Sequence, residues 1–206
     1  MPQNAPFDHA PDAPLLALDG VACERGGRIL WRGLNLSLMP GAIIHVTGPN
    51  GIGKSSLLRL AAGLLPVFAG QMQRRAAVAL IDERHALDSE LPLVRALGQW
   101  ARIDRAPPAA IGEAMAATGI AHLAPVPVRL FSTGQRKRAA LARLLIANAP
   151  LWLVDEPGNG LDADGLALLR SLITRHRARG GAALLASHFD LQLPDVETLD
   201  LGPLQP

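Results

Sequence analysis

One eight-residue run constrains this chain more than any other feature. Residues 48–55 read Gly48-Pro49-Asn50-Gly51-Ile52-Gly53-Lys54-Ser55 and satisfy the pattern GxxxxGK[ST] at every fixed position. The apolar run before it, 42–47, predicts a short buried strand, and the residues after it predict a helix over 54–65. Glycines let successive backbone N–H groups turn inward around an anion. Lys54 adds a point charge for terminal phosphate oxygens, and Ser55 a hydroxyl for a magnesium ion. The helix aims its positive end at the same place, with Ser56 in its first turn. A strand, a phosphate loop and a helix in this order predict nucleotide binding on an α/β fold.

The rest of the chain repeats that alternation, which predicts a mostly parallel core sheet. Strands are expected at 76–81, 151–154, 182–186 and weakly at 198–201, and helices at 135–147 and 163–179. Two further strands, 15–23 and 34–39, precede the repeat and predict an antiparallel β lobe, with turns at Gly26-Gly27 and Pro40-Gly41. Residues 91–123 are helical in character, broken by Pro107-Pro108, and 128–132 reads as a loop. The expected organisation is one domain over 1–206: a core of about 15–81 and 150–206, a small helical lobe of about 88–148, and a loose arm over 1–14.

Composition closes off other classes. The chain has 206 residues, 49% of them hydrophobic, which excludes a disordered polypeptide. Net charge is only +2, from 20 Lys+Arg against 18 Asp+Glu, too small a surplus to argue for nucleic acid. Two of those cations are lysines, Lys54 and Lys137; tyrosine is absent. The single cysteine, Cys23, forms no intramolecular disulfide, which favours a reducing compartment. The first residues lack a signal peptide's basic and apolar regions, and no apolar run reaches the 18 or so residues of a membrane span. Nothing reads as a zinc or haem site.

A second site stands at 151–157, where Leu151-Trp152-Leu153-Val154 delivers Asp155, Glu156 and Pro157. A nucleotide-bound Mg²⁺ takes a hard oxygen ligand, and Asp155 is the candidate. The next side chain leaves the strand end on the other side, so Glu156 faces the terminal phosphate and a water. A general base so placed contributes about 10²- to 10⁴-fold.

Between the two lies Phe131-Ser132-Thr133-Gly134-Gln135-Arg136-Lys137-Arg138. A helix start with a small hydroxyl residue and a glycine is another anion cradle. This run resembles the LSGGQ signature of ATP-binding cassette proteins, with Ser132, Gly134 and Gln135 matching and Phe131 and Thr133 departing. The resemblance implies that Ser132, Thr133, Gly134 and Gln135 grip ATP held by a second subunit, so that a head-to-tail homodimer completes two sites. It implies that Asn159-Gly160-Leu161-Asp162 is the D-loop at the dimer interface. It also implies that His188, after the strand 182–186, touches the γ-phosphate and aligns Glu156 with the water. His45 reads as a sheet residue, and His9, His85, His122 and His176 as solvated ones.

Two family positions depart. The adenine-stacking aromatic is expected near Arg25, whose guanidinium plane can stack instead; Trp31 is the lesser substitute. The glutamine linking the metal site to a membrane partner is expected after the strand 76–81, where the run is Asp82-Glu83-Arg84-His85, leaving Glu83 or Arg84 for its place.

Among cassettes, the short length and the run 23–28 narrow the resemblance to ATP-binding subunits of cytochrome c maturation. That implies ATP and Mg²⁺ as ligands, integral membrane subunits as partners, and a peripheral place on the cytoplasmic face of the bacterial inner membrane. The cargo role implied is haem export or release of a haem-loaded chaperone. The alternatives are the ATPase of another exporter, a soluble ATP-driven clamp, and a small-molecule kinase of the phosphate-loop type.

Overall fold

The computed structural model describes every residue except 1–5, 9, 11, 83–85, 189 and 206. Five parallel strands form the centre. They are β3 (Ile43–Thr47), β5 (Val78–Ile81), β6 (Leu151–Asp155), β7 (Ala182–Ala186) and β8 (Glu197–Asp200), in the order β5-β6-β7-β3-β8. The inner strands are mostly apolar because both faces are covered, with His45 and Thr47 in β3 and Asp155 at the end of β6 as the polar exceptions. Every residue of β6 and β7 is buried.

Alternation along these strands sorts the core into two layers. Ile44, Val46, Leu151, Leu153, Leu184 and Ala186 face one cluster, shared with α1 (Lys54–Ala61) and an antiparallel sheet. Ile43, Trp152, Val154, Ala183 and Leu185 face the other, against α4 (Thr133–Ala147) and α5 (Ala163–Ala178).

The antiparallel sheet has the order β2-β1-β4, with β1 (Leu16–Arg25), β2 (Arg28–Leu38) and β4 (Ala69–Arg74). Its β2 begins six residues before the predicted start. Trp31 pairs with Cys23 and is fully buried, while Gly33 at φ +72° bends the strand and breaks the alternation that marks a strand in sequence. The edge strand β4 was not expected from sequence at all. Its residues, Ala-Gly-Gln-Met-Gln-Arg, carry one half-buried apolar side chain, Met72.

Helix α1 stops at Ala61, short of the predicted Leu65. Gly63 at φ +79° ends it, with Gly63 N–H donating to Leu60 O (2.8 Å) and Leu64 N–H to Arg59 O (2.8 Å), a Schellman closure.

A third apolar cluster joins α2 (Leu93–Ile103), α3 (Ala109–Ala117) and one side of α4, including Leu93, Leu97, Ala114, Phe131, Ala139 and Ile146. Helix α4 therefore packs in two directions. Ala139, Ala142 and Ile146 face the helical cluster; Ala140, Leu141 and Leu144 face the sheet.

The histidine expected at the surface on α5 is not there. His176 is 3% exposed and stacks on Trp152 at 3.8 Å between ring centroids. It continues the stripe Leu169, Leu172, Ile173, one helical face turned to the sheet. Its Nε2–H donates to Pro150 O (3.1 Å) and Ala182 O (3.2 Å), and burial pushes its pKa down to about 4. Phe7 of the N-terminal arm docks edge-on against the same ring, with its N–H donating to Arg179 O at 3.0 Å. His122 is exposed. His45 is half-buried within β3 and donates from Nε2 to Ser187 O. His9 and His85 lie outside the described residues.

Candidate nucleotide site

The phosphate loop leaves the carboxyl end of β3, in the middle of the parallel sheet, and runs into α1. This is where open α/β sheets place their ligands. The loop's shape depends on glycine at two points. Gly53 has φ +108°, and a Cβ there would stand 2.8 Å from Trp31 Nε1; Gly48 has φ +130°, with the Ile52 side chain 3.1 Å away. Trp31 is thus the floor beneath the loop. At 0% exposure it has no face to offer an adenine ring. Ile52 points into the core, so only its backbone is available to a ligand.

Lys54 is buried, and its Nζ donates to Gly48 O (2.8 Å) and Pro49 O (3.2 Å). The ammonium is held over the loop by carbonyls that an incoming phosphate can replace. Asn50, Gly51, Gly53, Lys54, Ser55 and Ser56 line one wall of an open cleft of about 540 Å³. Across it stand Asp155, Glu156, Asn159 and His188, while Arg25 and Leu30 close the end beside the β1–β2 hairpin.

The two carboxylates come from consecutive residues at the end of β6, and both are buried. Asp155 finishes the strand. Glu156 turns out of it at φ +45°, a left-handed backbone uncommon for a residue with a side chain. Its N–H donates to Ala186 O (2.8 Å), and its carbonyl accepts from Lys137 Nζ (2.7 Å) and from Asn159 N–H (3.3 Å). The Oε1 atom lies 3.1 Å from His188 Nε2. The Oε2 atom is buried and has no hydrogen-bond partner among the described residues. A buried acceptor left open in this way is costly, and a water held at the cleft would satisfy it.

The donor set suits a magnesium ion carried by a nucleotide. Ser55 and Asp155 supply one hydroxyl and one carboxylate to the same cleft, and Mg²⁺ takes its remaining ligands from phosphates and water. Among the described residues no group of three or more His, Cys, Asp or Glu stands together as a self-contained metal cage.

The signature residues are not part of this cleft. Ser132, Thr133, Gly134 and Gln135 begin α4, which starts two residues earlier than the sequence indicated. Ser132 is the N-cap and forms a capping box with Gln135: Gln135 N–H donates to Ser132 Oγ (3.3 Å), and Ser132 N–H to Gln135 Oε1 (2.9 Å). The helix tip touches the D-loop closely. A Cβ on Gly160 would meet Thr133 Cγ2, and one on Gly134 would stand 3.3 Å from Gly160 O. Asp162 caps α5, accepting from Gly165 N–H (2.8 Å), and pairs with Arg138 of α4 at 3.6 Å.

The sequence pointed to Lys54, Ser55, Ser56, Asp155, Glu156, His188 and Arg25, and the fold sets all of them on one cleft. It did not give Asn159 or Leu30 a place there. Asn159 belongs to the D-loop run and was the findable one; Leu30 carries no local signal. Lys137 stands out in sequence for its rarity alone. Glu83 and Arg84 lie outside the described residues. Beside them, Asp82 pairs with Arg59 at 3.3 Å, and Arg143 donates to Leu80 O at 3.0 Å while stacking over Trp100.

The ABC transporter family matches residues 31–159, from Trp31 beneath the loop to Asn159 in the cleft. The chain belongs to the ABC transporter family. Its relatives include proteins named cytochrome c biogenesis ATP-binding export protein CcmA. The one from Sphingopyxis alaskensis is 55% identical over 190 residues, covering 92% of this chain and 98% of its own. The one from Novosphingobium aromaticivorans is 54% identical over 192 residues, covering 93% and 97%. Among solved structures, cbiO1 of Clostridium perfringens, part of the ABC transporter complex cbiONQ, superposes with a TM-score of 0.72. It shares 23% identity and covers 86% of this chain and 80% of its own, a likeness of fold. As an ABC ATPase, the chain binds and hydrolyses ATP on behalf of a transporter.

Proposed function

We propose that this chain is the ATP-hydrolysing subunit of a membrane complex that serves cytochrome c maturation, with haem export or release of a haem-loaded chaperone as the work it drives. The support is the similarity to the CcmA proteins over nearly the whole chain. The observation that carries the catalytic reading is the buried Glu156 carboxylate, paired with His188 on one oxygen and open on the other.

In this reading the chain acts as one domain, with a core of about 15–81 and 150–206 and a helical lobe of about 88–148. The ATP phosphates sit in the loop 48–56, on the N–H groups of its residues other than Pro49. Lys54 exchanges the carbonyls of Gly48 and Pro49 for phosphate oxygens. Ser55 and Asp155 hold the Mg²⁺, which neutralises phosphate charge when bound. Glu156 takes the proton of the attacking water on Oε2. His188 holds Oε1 and keeps the carboxylate aimed at the γ-phosphate. Arg25 stacks on adenine.

Two copies assemble head to tail. The capping box occupies the N–H groups of Ser132 and Gln135; those of Thr133 and Gly134 are the kind a helix start leaves for an anion, here the ATP of the other copy. Asp162 and the D-loop lie along that seam. The pair docks on integral membrane subunits at the cytoplasmic face of the inner membrane, where Glu83 or Arg84 takes the linking role. No helix of the described residues is long and apolar enough to cross a membrane.

The decisive experiment is Glu156→Gln. The variant is expected to bind Mg-ATP, to lose turnover and to accumulate as a nucleotide-bound dimer in size-exclusion chromatography. Full turnover by this variant would remove Glu156 as the base.

A further inference from the structure

The chain has two lysines, and the second is buried. Lys137 is 5% exposed, on a helix whose neighbouring cations Arg136 and Arg138 are themselves partly exposed. An ammonium is among the costliest groups to remove from water, and its strongly bonded exceptions usually serve a purpose. Its Nζ donates to the main-chain carbonyl of Glu156 at 2.7 Å, across 19 residues of sequence.

That carbonyl belongs to the one non-glycine residue lining the cleft whose backbone has a positive φ. Glu156 sits at φ +45°, and its carboxylate direction follows from that conformation. Such backbones persist where surrounding bonds over-determine them. Three bonds do so here: Ala186 O accepts from its N–H, and Asn159 N–H and Lys137 Nζ donate to its carbonyl. Two of the three partners lie on the core, at β7 and in the loop after β6. Lys137 alone comes from α4, one turn inside the signature residues.

We infer that Lys137 is a positioning residue for the catalytic carboxylate, tying the signature helix to the backbone of Glu156. Movement of α4 is transmitted through this bond to the residue that activates water. The helix start senses the nucleotide of the other copy; the lysine reports that contact to the base of its own copy. The inference rests on Glu156 being the base.

The test uses the full chain with Mg-ATP and separates binding from turnover. Lys137→Met keeps the arm and removes the donor. It is expected to lower kcat by about 10²-fold, the scale of a misplaced catalytic group, with KM for ATP and affinity for a fluorescent ATP analogue within about twofold of wild type. Lys137→Arg keeps a buried donor and is expected to recover part of kcat. In a Glu156→Gln background, Lys137→Met is expected to cost nothing further, because the two changes act on one group. Wild-type kcat in Lys137→Met overturns the inference, as does parallel loss of kcat and affinity with no recovery in Lys137→Arg. Should Lys137→Met not fold, Lys137→Leu, which also lacks a donor, is measured in the same way, and unchanged kcat there overturns it equally. If Glu156→Gln keeps turnover, the base assignment itself fails; if it loses turnover while Lys137→Met does not, only the lysine's role fails.

Discussion

His188 Nε2 lies 3.1 Å from Glu156 Oε1, joining the loop after β7 to the end of β6 across the mouth of the cleft. The histidine side chain is about half exposed and the carboxylate almost wholly buried. The pair thus has a wet end and a dry end, and the dry end carries the open Oε2 atom. His188→Ala removes the partner of Oε1 and leaves the carboxylate free to rotate. We expect kcat to fall by about 10²-fold, within the range of a lost acid–base contact. ATP affinity should change far less, since the loop and Lys54 are untouched. Steady-state phosphate release together with nucleotide titration checks the split.

Lys54 stabilises the empty loop as well as the loaded one, because Gly48 O and Pro49 O accept from its Nζ. Lys54→Ala therefore removes ligand-induced stabilisation and loosens the loop. At an ATP concentration a hundredfold above Kd, the wild-type chain gains about 2.7 kcal/mol from binding. The variant is expected to gain almost none. Thermal denaturation with and without Mg-ATP distinguishes the two.

Gly53 separates backbone strain from chemistry. Alanine there must adopt φ +108° and bring its Cβ against Trp31 Nε1. Gly53→Ala should cost about 1–3 kcal/mol in the absence of nucleotide, the scale of a strained backbone position. Urea unfolding measures it, and an unchanged midpoint would mean that the loop rearranges freely over Trp31.

What could be read from residues alone was whatever local pattern determines. The β3–loop–α1 unit and the β6 carboxylates were legible because an apolar strand, a spaced motif and a helix start are all contiguous. What depended on a distant partner was not. Strand β4 is an exposed edge whose only demand is pairing with β1, so its composition carries no period. His176 reads as polar, yet its place after Leu169, Leu172 and Ile173 sets it on the buried face, and Trp152 supplies the stack. Lys137 stands out in sequence only as one of two lysines, and its role does not show because the carbonyl it serves lies 19 residues away. The capping box was half visible: Ser132 and Gln135 have the spacing, but only the fold shows their side chains bonded to each other's backbone.

Burial of His176 makes stability depend on pH. The ring is held neutral in the fold with a pKa of about 4, against an ordinary histidine value of 6.5, because desolvation disfavours its charged form. The unfolded chain therefore takes up a proton through pH 6.5 while the folded chain does not. Stability from this group is complete above about pH 6.5 and is lost as pH falls toward 4, by about 3 kcal/mol in all. Denaturant midpoints between pH 7.5 and 4.5 should show the decline. His176→Phe is expected to flatten that slope and to lower stability at neutral pH, because Pro150 O and Ala182 O lose their donor.

Arg25 and Trp31 divide the question of what meets the adenine ring. Arg25 is exposed at the tip of the β1–β2 hairpin and lines the cleft; Trp31 is fully buried beneath the phosphate loop. Stacking by an exposed guanidinium on an aromatic ring contributes about 0.5–1 kcal/mol. Arg25→Ala should therefore weaken ATP binding by about twofold to fivefold while leaving folding stability almost unchanged. Trp31→Phe should do the reverse, lowering stability through lost packing against Cys23 and the phosphate loop above it, with little direct effect on adenine. Binding should weaken less for inorganic triphosphate than for ATP in Arg25→Ala, because triphosphate has no ring to stack. Equal weakening for both ligands would mean that Arg25 acts on the phosphates as a charge and that another residue meets the base.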